Sequence, residues 1–226
     1  MARLLLPLLL LGATAAPAAA ETPAQHYGAL TQEECEAELV ARAVPFVREA
    51  PTKGVRAPVR LAGPLHGVLF RTDLPEKERA TTIWEIADCR LVLALDDFAQ
   101  ILARHDVVEV RHYSMYRRPS KSWPEAKEAT RHKGGLAIDA GRFIRADKSV
   151  IDVDDDYHGR RGSRSCGPNA RPPRPRTDKA VTLRAILCEA AEQHMFTVVL
   201  TPNYNRRHHN HFHLEVAAGV RWYLVR

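Results

Sequence analysis

Apolar side chains recur at helical spacing in two long stretches, which predicts two helices that each bury one face. The clearer pattern covers residues 87–104, and the second covers residues 179–194. A shorter helix carrying Cys35 is expected after Thr31, because Thr31 and Glu34 have the spacing of a capping box. The apolar positions of the first long helix are Leu91, Val92, Leu95, Phe98 and Leu102.

Shorter apolar runs predict strands between these helices. Alternating or continuous apolar residues occur over 107–115, 136–144, 149–153 and 196–200. A short helix is also expected over 125–129, since the preceding proline suits a first helical turn. Helices and strands in this order favour an α+β fold.

Residues 154–178 lack any apolar period and are expected to form a surface insertion, for which a place beside the active site is one option. The segment opens with three aspartates and continues with glycine, arginine and proline. The spacing of the aspartates fits no calcium-binding loop, so we interpret them as a solvated turn.

The N-terminus has the pattern of a signal peptide. Arg3 precedes an apolar run from Leu4 to Leu11, and small residues lead to a predicted cleavage site after Ala20. Removing 20 of 226 residues leaves 206 and lowers the formal charge from +6 to +5. The mature chain has no other stretch that could span a membrane, so we expect an exported protein, periplasmic or secreted.

Four cysteines in an exported chain indicate two disulfides, because none of them forms a C-x-x-C pair that would suggest a zinc knuckle. Four cysteines allow three pairings. We favour Cys35 with Cys89 and Cys166 with Cys188, since the second bond would tie an otherwise loose loop to a helix.

Two histidine-rich stretches carry the candidate chemistry. In a strand over 211–216, the side chains of His211, His213 and Glu215 face one way and the apolar residues between them face the core. The other stretch holds His132 and Asp139, which a turn at Gly134 and Gly135 can bring to the same site. Two imidazoles and one carboxylate leave a fourth tetrahedral position on zinc for water, as in catalytic zinc sites.

These residues resemble the extensin-like C-terminal domain, which is related to zinc D-alanyl-D-alanine peptidases within the lysostaphin-type and hedgehog-like group. That family carries a Ser-x-His-x-x-Gly-x-Ala-x-Asp motif, and a second motif of the form Leu-Gly-Pro-x-Tyr-Asn-x-x-His-x-Asp-His-Phe-His. Residues 200–205 and 208–213 match the second motif, and the resemblance covers about residues 85–218. The first motif is matched by Thr130, His132, Gly135, Ala137 and Asp139.

The resemblance implies a small antiparallel sheet flanked by helices, with zinc held by His132, Asp139 and His213. It implies hydrolysis of peptide bonds in peptidoglycan by zinc-activated water, so peptidoglycan peptides are the expected partner. His211 is the first choice for the base that takes the proton of the water or for stabilising the transition state, and His208 is the second.

The resemblance also suggests how substrate is held. Arg117 can bind a substrate carboxylate through its planar guanidinium, and Tyr204 of the second motif is assigned to the same task. The zinc peptidase-like domain is predicted over 85–226, and residues 21–84 are predicted to be an N-terminal extension that wraps it. The sequence gives no indication of the oligomeric state.

Two alternatives remain open. Many relatives have an acidic residue at the position of Asn210, and an amide cannot serve as a base, so the chain could be an inactive zinc-containing domain that binds cell wall or protein. Residues 209–211 spell His-Asn-His, the signature of a family of metal nucleases, and the basic charge would suit nucleic acid. That signature does not account for His132 or Asp139, so no nucleic acid partner is expected.

Overall fold

The computed structural model describes residues 21–226, and the predicted signal peptide lies outside these residues. The helices are α1 (Pro23–Ala29), α2 (Gln32–Ala41), α3 (Glu76–Arg79), α4 (Cys89–Arg104), α5 (Val153–Asp156) and α6 (Asp178–Glu192). The strands are β1 (Phe46–Arg48), β2 (Pro58–Leu61), β3 (Leu69–Arg71), β4 (Ala87–Asp88), β5 (Val107–His112), β6 (Ala137–Arg145), β7 (Val150–Asp152), β8 (Val198–Leu200), β9 (Phe212–Glu215) and β10 (Leu224–Val225). The α+β prediction is confirmed.

The main sheet has seven strands in the order β10-β8-β9-β6-β5-β3, with β7 paired to β6. Its four central strands pair antiparallel, as predicted. The two outer pairs, β3 with β5 and β10 with β8, are parallel, so the sheet is mixed and larger than expected. These outer strands have two or three residues each, which is too short for a recognisable alternation. A separate sheet contains β1, β2 and β4.

Helix α4 forms the centre of the core, and all five apolar positions predicted for it are fully buried. It contacts α1, α2, α6 and β5, so it is covered on several sides and not on one face alone. Asp88 caps it by accepting a hydrogen bond from the backbone N–H of Arg90. None of the helices within residues 21–226 combines the length and the apolar character needed to cross a bilayer.

The predicted disulfide pairing is confirmed. Cys35 of α2 is bonded to Cys89 at the start of α4, with the two Cα atoms 6.0 Å apart. Cys166 is bonded to Cys188 of α6, with the Cα atoms 5.3 Å apart. The second bond therefore ties the insertion to a core helix, in agreement with the argument for this pairing.

Two local predictions need correction. The helix expected over 125–129 is wrong: this exposed segment forms a turn in which the N–H of Lys127 donates to the carbonyl of Pro124. A single turn without an apolar face has too little packing to become helical. The first aspartates of the insertion lie in the short helix α5, because Asp152 caps it by accepting from the N–H of Asp154.

His112 lies at the end of β5 and is fully buried, and neither ring nitrogen has a hydrogen-bond partner. Burial lowers the pKa of His112 from 6.5 to about 3, because the lost hydration of the imidazolium outweighs the attraction of Asp139 and Asp73. His112 is therefore a neutral imidazole in the folded protein at neutral pH.

We expect His112→Leu to make the protein less sensitive to acid. Between pH 6.5 and pH 3 the unfolded chain binds a proton at this histidine that the folded chain does not. The free energy of unfolding of the wild type therefore falls as pH falls through this window, by up to about 1.4 kcal/mol per pH unit from this residue. Urea denaturation of both proteins from pH 7.5 to pH 4, with a chelator present, measures the two slopes. Equal slopes would contradict the prediction.

Candidate metal centre

A glycine turn places His132 at the site, as predicted. His132 lies in a single 3₁₀ turn, Arg131–Gly134, which ends at Gly135 in the left-handed conformation with φ of +65°. A side chain at Gly135 would approach the backbone nitrogen of Asp88 to 2.7 Å, and one at Gly134 would approach the carbonyl oxygen of Ala129 to 2.1 Å. Glycine is therefore required at Gly135 because of its left-handed conformation. It is required at both positions because a side chain would clash with the neighbouring backbone.

The other two candidate ligands are neighbours on adjacent strands. Asp139 on β6 pairs directly with His213 on β9 in the antiparallel register, so their side chains leave the sheet on the same face. The neighbouring residues of β9, Phe212 and Leu214, are fully buried on the opposite face. The alternation predicted from the sequence is therefore confirmed.

His132, Asp139 and His213 bring three ligand atoms together. His132 Nε2 lies 3.0 Å from Asp139 Oδ1 and 3.2 Å from His213 Nδ1, and that nitrogen lies 3.0 Å from the same carboxylate oxygen. Ligand atoms bound tetrahedrally to one zinc ion at its usual bond lengths lie roughly 3.3 Å apart. The triangle is close to that size. Within residues 21–226, this is the one group of three such residues whose ligand atoms all lie within 4.8 Å.

The outer ring nitrogens are held by acceptors. His132 Nδ1 lies 3.3 Å from the carbonyl oxygen of Met115, and His213 Nε2 lies 3.2 Å from Glu215 Oε2. Both oxygens are acceptors, so each can accept a hydrogen bond from a neutral imidazole whose proton is on this outer nitrogen. In that tautomer the inner nitrogens are free to bind a cation together with Asp139 Oδ1. Outer acceptors of this kind are typical of metal-bound histidines.

Electrostatics favour the ligand forms of Asp139 and His132. Burial alone would raise the pKa of Asp139, but its contacts with His132, His211 and His213 outweigh burial and hold that pKa well below its usual range. Burial lowers the pKa of His132 and keeps the ring neutral. Burial also opposes a charge on His213, but Asp139 and Glu215 outweigh it and raise the pKa of His213, so these carboxylates attract a cation there.

His211 stands beside the three candidate ligands, just before β9. Its Nε2 lies 3.3 Å from Asp139 Oδ1, and its Nδ1 lies 2.8 Å from Asn210 Oδ1. In the tautomer with the proton on Nδ1, the amide oxygen of Asn210 accepts a hydrogen bond from His211 and Nε2 carries the lone pair. The ring of Tyr113 packs edge-on against His211 with the centroids 5.8 Å apart. Asn210 and Tyr113 therefore fix the orientation of the His211 ring.

The structure places the remaining predicted residues around this centre. His208 packs against both His211 and His213, with ring centroids 5.2 Å and 5.8 Å away, and the exposed ring of Tyr204 contacts His208. Burial, followed by the neighbouring histidines, lowers the pKa of His208 to about 4. His209, the other histidine of the nuclease-like signature, is exposed and contacts the carbonyl of Arg206.

Arg117 contacts a candidate ligand. Its guanidinium donates to Asp139 Oδ2, and its Nε donates to Ser114 Oγ at 2.8 Å. Its backbone N–H donates to the carbonyl of His132, which ties the segment after β5 to the glycine turn. About half of the Arg117 side chain remains exposed, so the guanidinium can also contact a ligand that approaches from solvent.

From the sequence, no role was predicted for the Met115 carbonyl or the Glu215 carboxylate, which support the two histidines of the centre. The Met115 carbonyl is a backbone atom, and no residue type signals its position. Glu215 was placed on the same face as His213, and its spacing of two residues could have indicated a partner for that histidine. The contact between Arg117 and Asp139 joins residues 22 positions apart, which periodicity does not reveal.

The fold and the site define an α+β domain with a buried cluster of two histidines and one aspartate on the main sheet. Comparison with known families gives a match to the family described as "Extensin-like protein C-terminus" over residues 33–226. The chain therefore belongs to this family. The match begins in α2 and so includes sequence N-terminal to the two motifs. No curated protein and no solved structure matches the chain.

Proposed function

We propose that the chain is an exported zinc-dependent peptidase that hydrolyses peptide bonds in peptidoglycan. The observation that carries the proposal is the convergence of two imidazole nitrogens and one carboxylate oxygen, with separations of 3.0 to 3.2 Å. This donor set suits zinc, and three protein ligands leave a position open for catalysis. Both motifs match those of the extensin-like family, and the relation expected between that family and zinc D-alanyl-D-alanine peptidases suggests the same reaction.

In this proposal His132, Asp139 and His213 hold the ion. The carbonyl of Met115 and the carboxylate of Glu215 fix the two histidine rings through their outer nitrogens. Arg117 neutralises the second oxygen of Asp139, so that one oxygen remains directed at the ion. Bound zinc supplies Lewis acidity to the scissile carbonyl and lowers the pKa of a water molecule.

His211 is the proposed general base. Its Nε2 carries a lone pair, lies beside the candidate ligands and can take the proton of the attacking water. After the proton transfer, the nearby Asp139 carboxylate stabilises the imidazolium. Asn210 keeps the Nδ1 proton in place, so in this chain the amide orients the base and need not act as one. His208, packed against His211, is the second candidate for a proton-transfer role.

Substrate binding is assigned to exposed groups at the edge of the centre. The half-exposed guanidinium of Arg117 can pair with a substrate carboxylate in a forked geometry. The ring of Tyr204, also partly exposed, offers an apolar face beside His208. Export to the periplasm or the medium follows from the signal-peptide pattern and is supported by the two disulfides.

His211→Ala is expected to reduce the release of peptides from isolated peptidoglycan at least about 100-fold, since the variant lacks the proposed base. The matched control is His209→Ala, which removes an exposed imidazole two positions away. Mass spectrometry of the soluble products, after incubation with zinc, measures the release and identifies the bond that is cut. Equal release by both variants would contradict the role of His211.

The same assay separates this proposal from an inactive domain. If wild-type protein binds peptidoglycan and carries zinc but releases no peptide, the chain is a zinc-containing binding domain. If zinc-loaded protein instead nicks DNA, and His209→Ala abolishes this activity, the protein is a metal nuclease of the kind that the His-Asn-His signature indicates. Either result overturns the peptidase proposal.

A further inference from the structure

The segment 157–177, called here the arginine loop, holds most of the excess charge of the protein. It contains no acidic residue, and the formal net charge of the whole chain is +6. Positive and negative residues elsewhere therefore balance. The loop contains six arginines, Arg160, Arg161, Arg164, Arg171, Arg174 and Arg176.

These six guanidinium groups are free to bind a ligand. All six residues are exposed, and within residues 21–226 none of their side chains has a carboxylate within 4.0 Å or a hydrogen-bond acceptor. Most other arginines of the protein are paired. Arg111 and Arg142, for example, both bind the carboxylate of Asp73. The unpaired positive charges of the six arginines repel one another, so other contacts must offset this repulsion to keep the loop folded.

Several contacts fix the backbone of the loop. The buried side chain of Arg184 on α6 donates from Nη1 to the carbonyl oxygens of Ser165 and Arg171, and its guanidinium lies 4.3 Å from the centre of the Tyr157 ring. The disulfide of Cys166 attaches the same region to α6. The arginines therefore project from a preorganised scaffold, which lowers the entropic cost of binding a ligand.

The loop lines two neighbouring cavities that are open to solvent. One has a volume of about 350 Å³ and is lined by His158, Gly159, Arg160, Arg171, Pro172 and Arg174. The other has a volume of about 430 Å³, and Arg160 and Arg171 line it as well. Both are large enough for a carboxylate or phosphate group with part of the molecule that carries it. Guanidinium pairs suit such groups because they bind them in a bidentate manner.

The arginine loop packs against the segment that leads to the candidate metal centre. The N–H of Gly162 donates to the carbonyl of Asn203 at 2.6 Å, and Ser165 Oγ lies 2.8 Å from Thr201 Oγ1. A side chain at Gly159 would approach Asn203 Oδ1 to 2.2 Å, so the two segments are in close contact. Tyr204 is the next residue and His208 lies four residues further on, so the loop contacts the segment that carries these two site residues.

We propose that the arginine loop is a second binding site for the polymeric substrate, where it holds carboxylate groups of peptidoglycan away from the bond being cut. This inference rests on the proposed function. The loop offers the other polyanions little beyond charge. Its tyrosine, Tyr157, is buried and cannot stack on a nucleic acid base, which leaves His158 as its one partly exposed aromatic ring. It has no exposed large apolar side chain to enter a membrane.

The test compares two triple variants of equal charge in the His211→Ala background, where substrate is not consumed. One carries Arg160→Gln, Arg171→Gln and Arg174→Gln. The matched control carries Lys77→Gln, Lys148→Gln and Arg221→Gln, which are exposed cations outside the loop. Cosedimentation with isolated peptidoglycan in 0.1 M salt gives the Kd. We expect the loop variant to raise the Kd about tenfold or more and the control to change it less than about twofold.

Each other outcome overturns the inference. An equal rise in Kd for both variants would show that binding depends on net charge alone. An unchanged Kd for both variants would show that the arginine loop is not a binding site for peptidoglycan. Double-stranded DNA and vesicles containing phosphatidylglycerol are titrated in parallel. Tighter, loop-dependent binding to either would assign the loop to a phosphate-bearing ligand. Peptide release by the protein with intact His211 is measured separately, so failure of the peptidase proposal is distinguished from failure of the loop.

Discussion

His132→Ala and Asp139→Ala are each expected to abolish stoichiometric zinc binding, while the wild type binds one zinc ion per chain. Each substitution removes one of three donors that converge within 3.0 to 3.2 Å. Loss of a group that only orients a ligand weakens metal binding about 10- to 100-fold, so loss of a ligand itself should cost more than about 100-fold. Equilibrium dialysis against zinc followed by elemental analysis gives the occupancy without reference to activity.

Two further variants make the zinc experiment sharper. Glu215→Gln leaves the ligands intact and weakens the acceptor for His213 Nε2, so its zinc affinity should lie between those of the wild type and His132→Ala. His209→Ala removes an imidazole that does not face the centre and should retain full occupancy. Full occupancy in His132→Ala or Asp139→Ala would refute the assignment of the centre.

Asp88→Ala is expected to destabilise the protein by about 3 to 5 kcal/mol, because it leaves a buried guanidinium without its partner. Asp88 and Arg90 are almost completely buried, and the Nε and Nη2 of Arg90 donate to the two carboxylate oxygens at 2.7 Å and 2.9 Å. The carboxylate also accepts from the backbone N–H groups of Arg56, Ala57 and Arg90. One side chain therefore joins β2 to the start of α4.

Two further substitutions define this effect, one at a surface ion pair and one at the other member of the buried pair. Asp73→Ala breaks two ion pairs at the surface and should cost no more than about 1 kcal/mol. Arg90→Met should cost less than Asp88→Ala, because the carboxylate keeps three backbone donors. Urea denaturation gives all three values. A loss in Asp88→Ala no larger than in Asp73→Ala would contradict the role of the buried pair.

The candidate site was largely predictable from the sequence because its residues come from two local patterns. The alternation from His211 to Val216 gives the faces of β9, and two adjacent glycines mark the turn after His132. The register that pairs Asp139 with His213 is a tertiary property, and only the shared motif indicated it. The supporting Met115 carbonyl lies beyond any sequence pattern, because every residue has the same carbonyl group.

The fold was predictable where an element is long enough to repeat a pattern. Helix α4 has sixteen residues, so the spacing of its apolar positions repeats over several turns. Strands β3 and β10 have three and two residues, and their place at the sheet edges depends on partners more than 20 positions away. The helix predicted over 125–129 is wrong because a proline and helix-forming residues indicate only a local preference. The tertiary contacts of this segment, such as the hydrogen bond from the Ala129 N–H to the Gly54 carbonyl, hold it in a non-helical conformation.

The two histidines of the candidate centre are supported by groups that mutation alters to different degrees. The support for His132 is the carbonyl of Met115, which is present whatever side chain occupies position 115. The support for His213 is the side chain of Glu215, which a single substitution to glutamine or aspartate alters. For the proposed zinc centre, we therefore expect substitutions at position 215 to change the metal affinity more than substitutions at position 115.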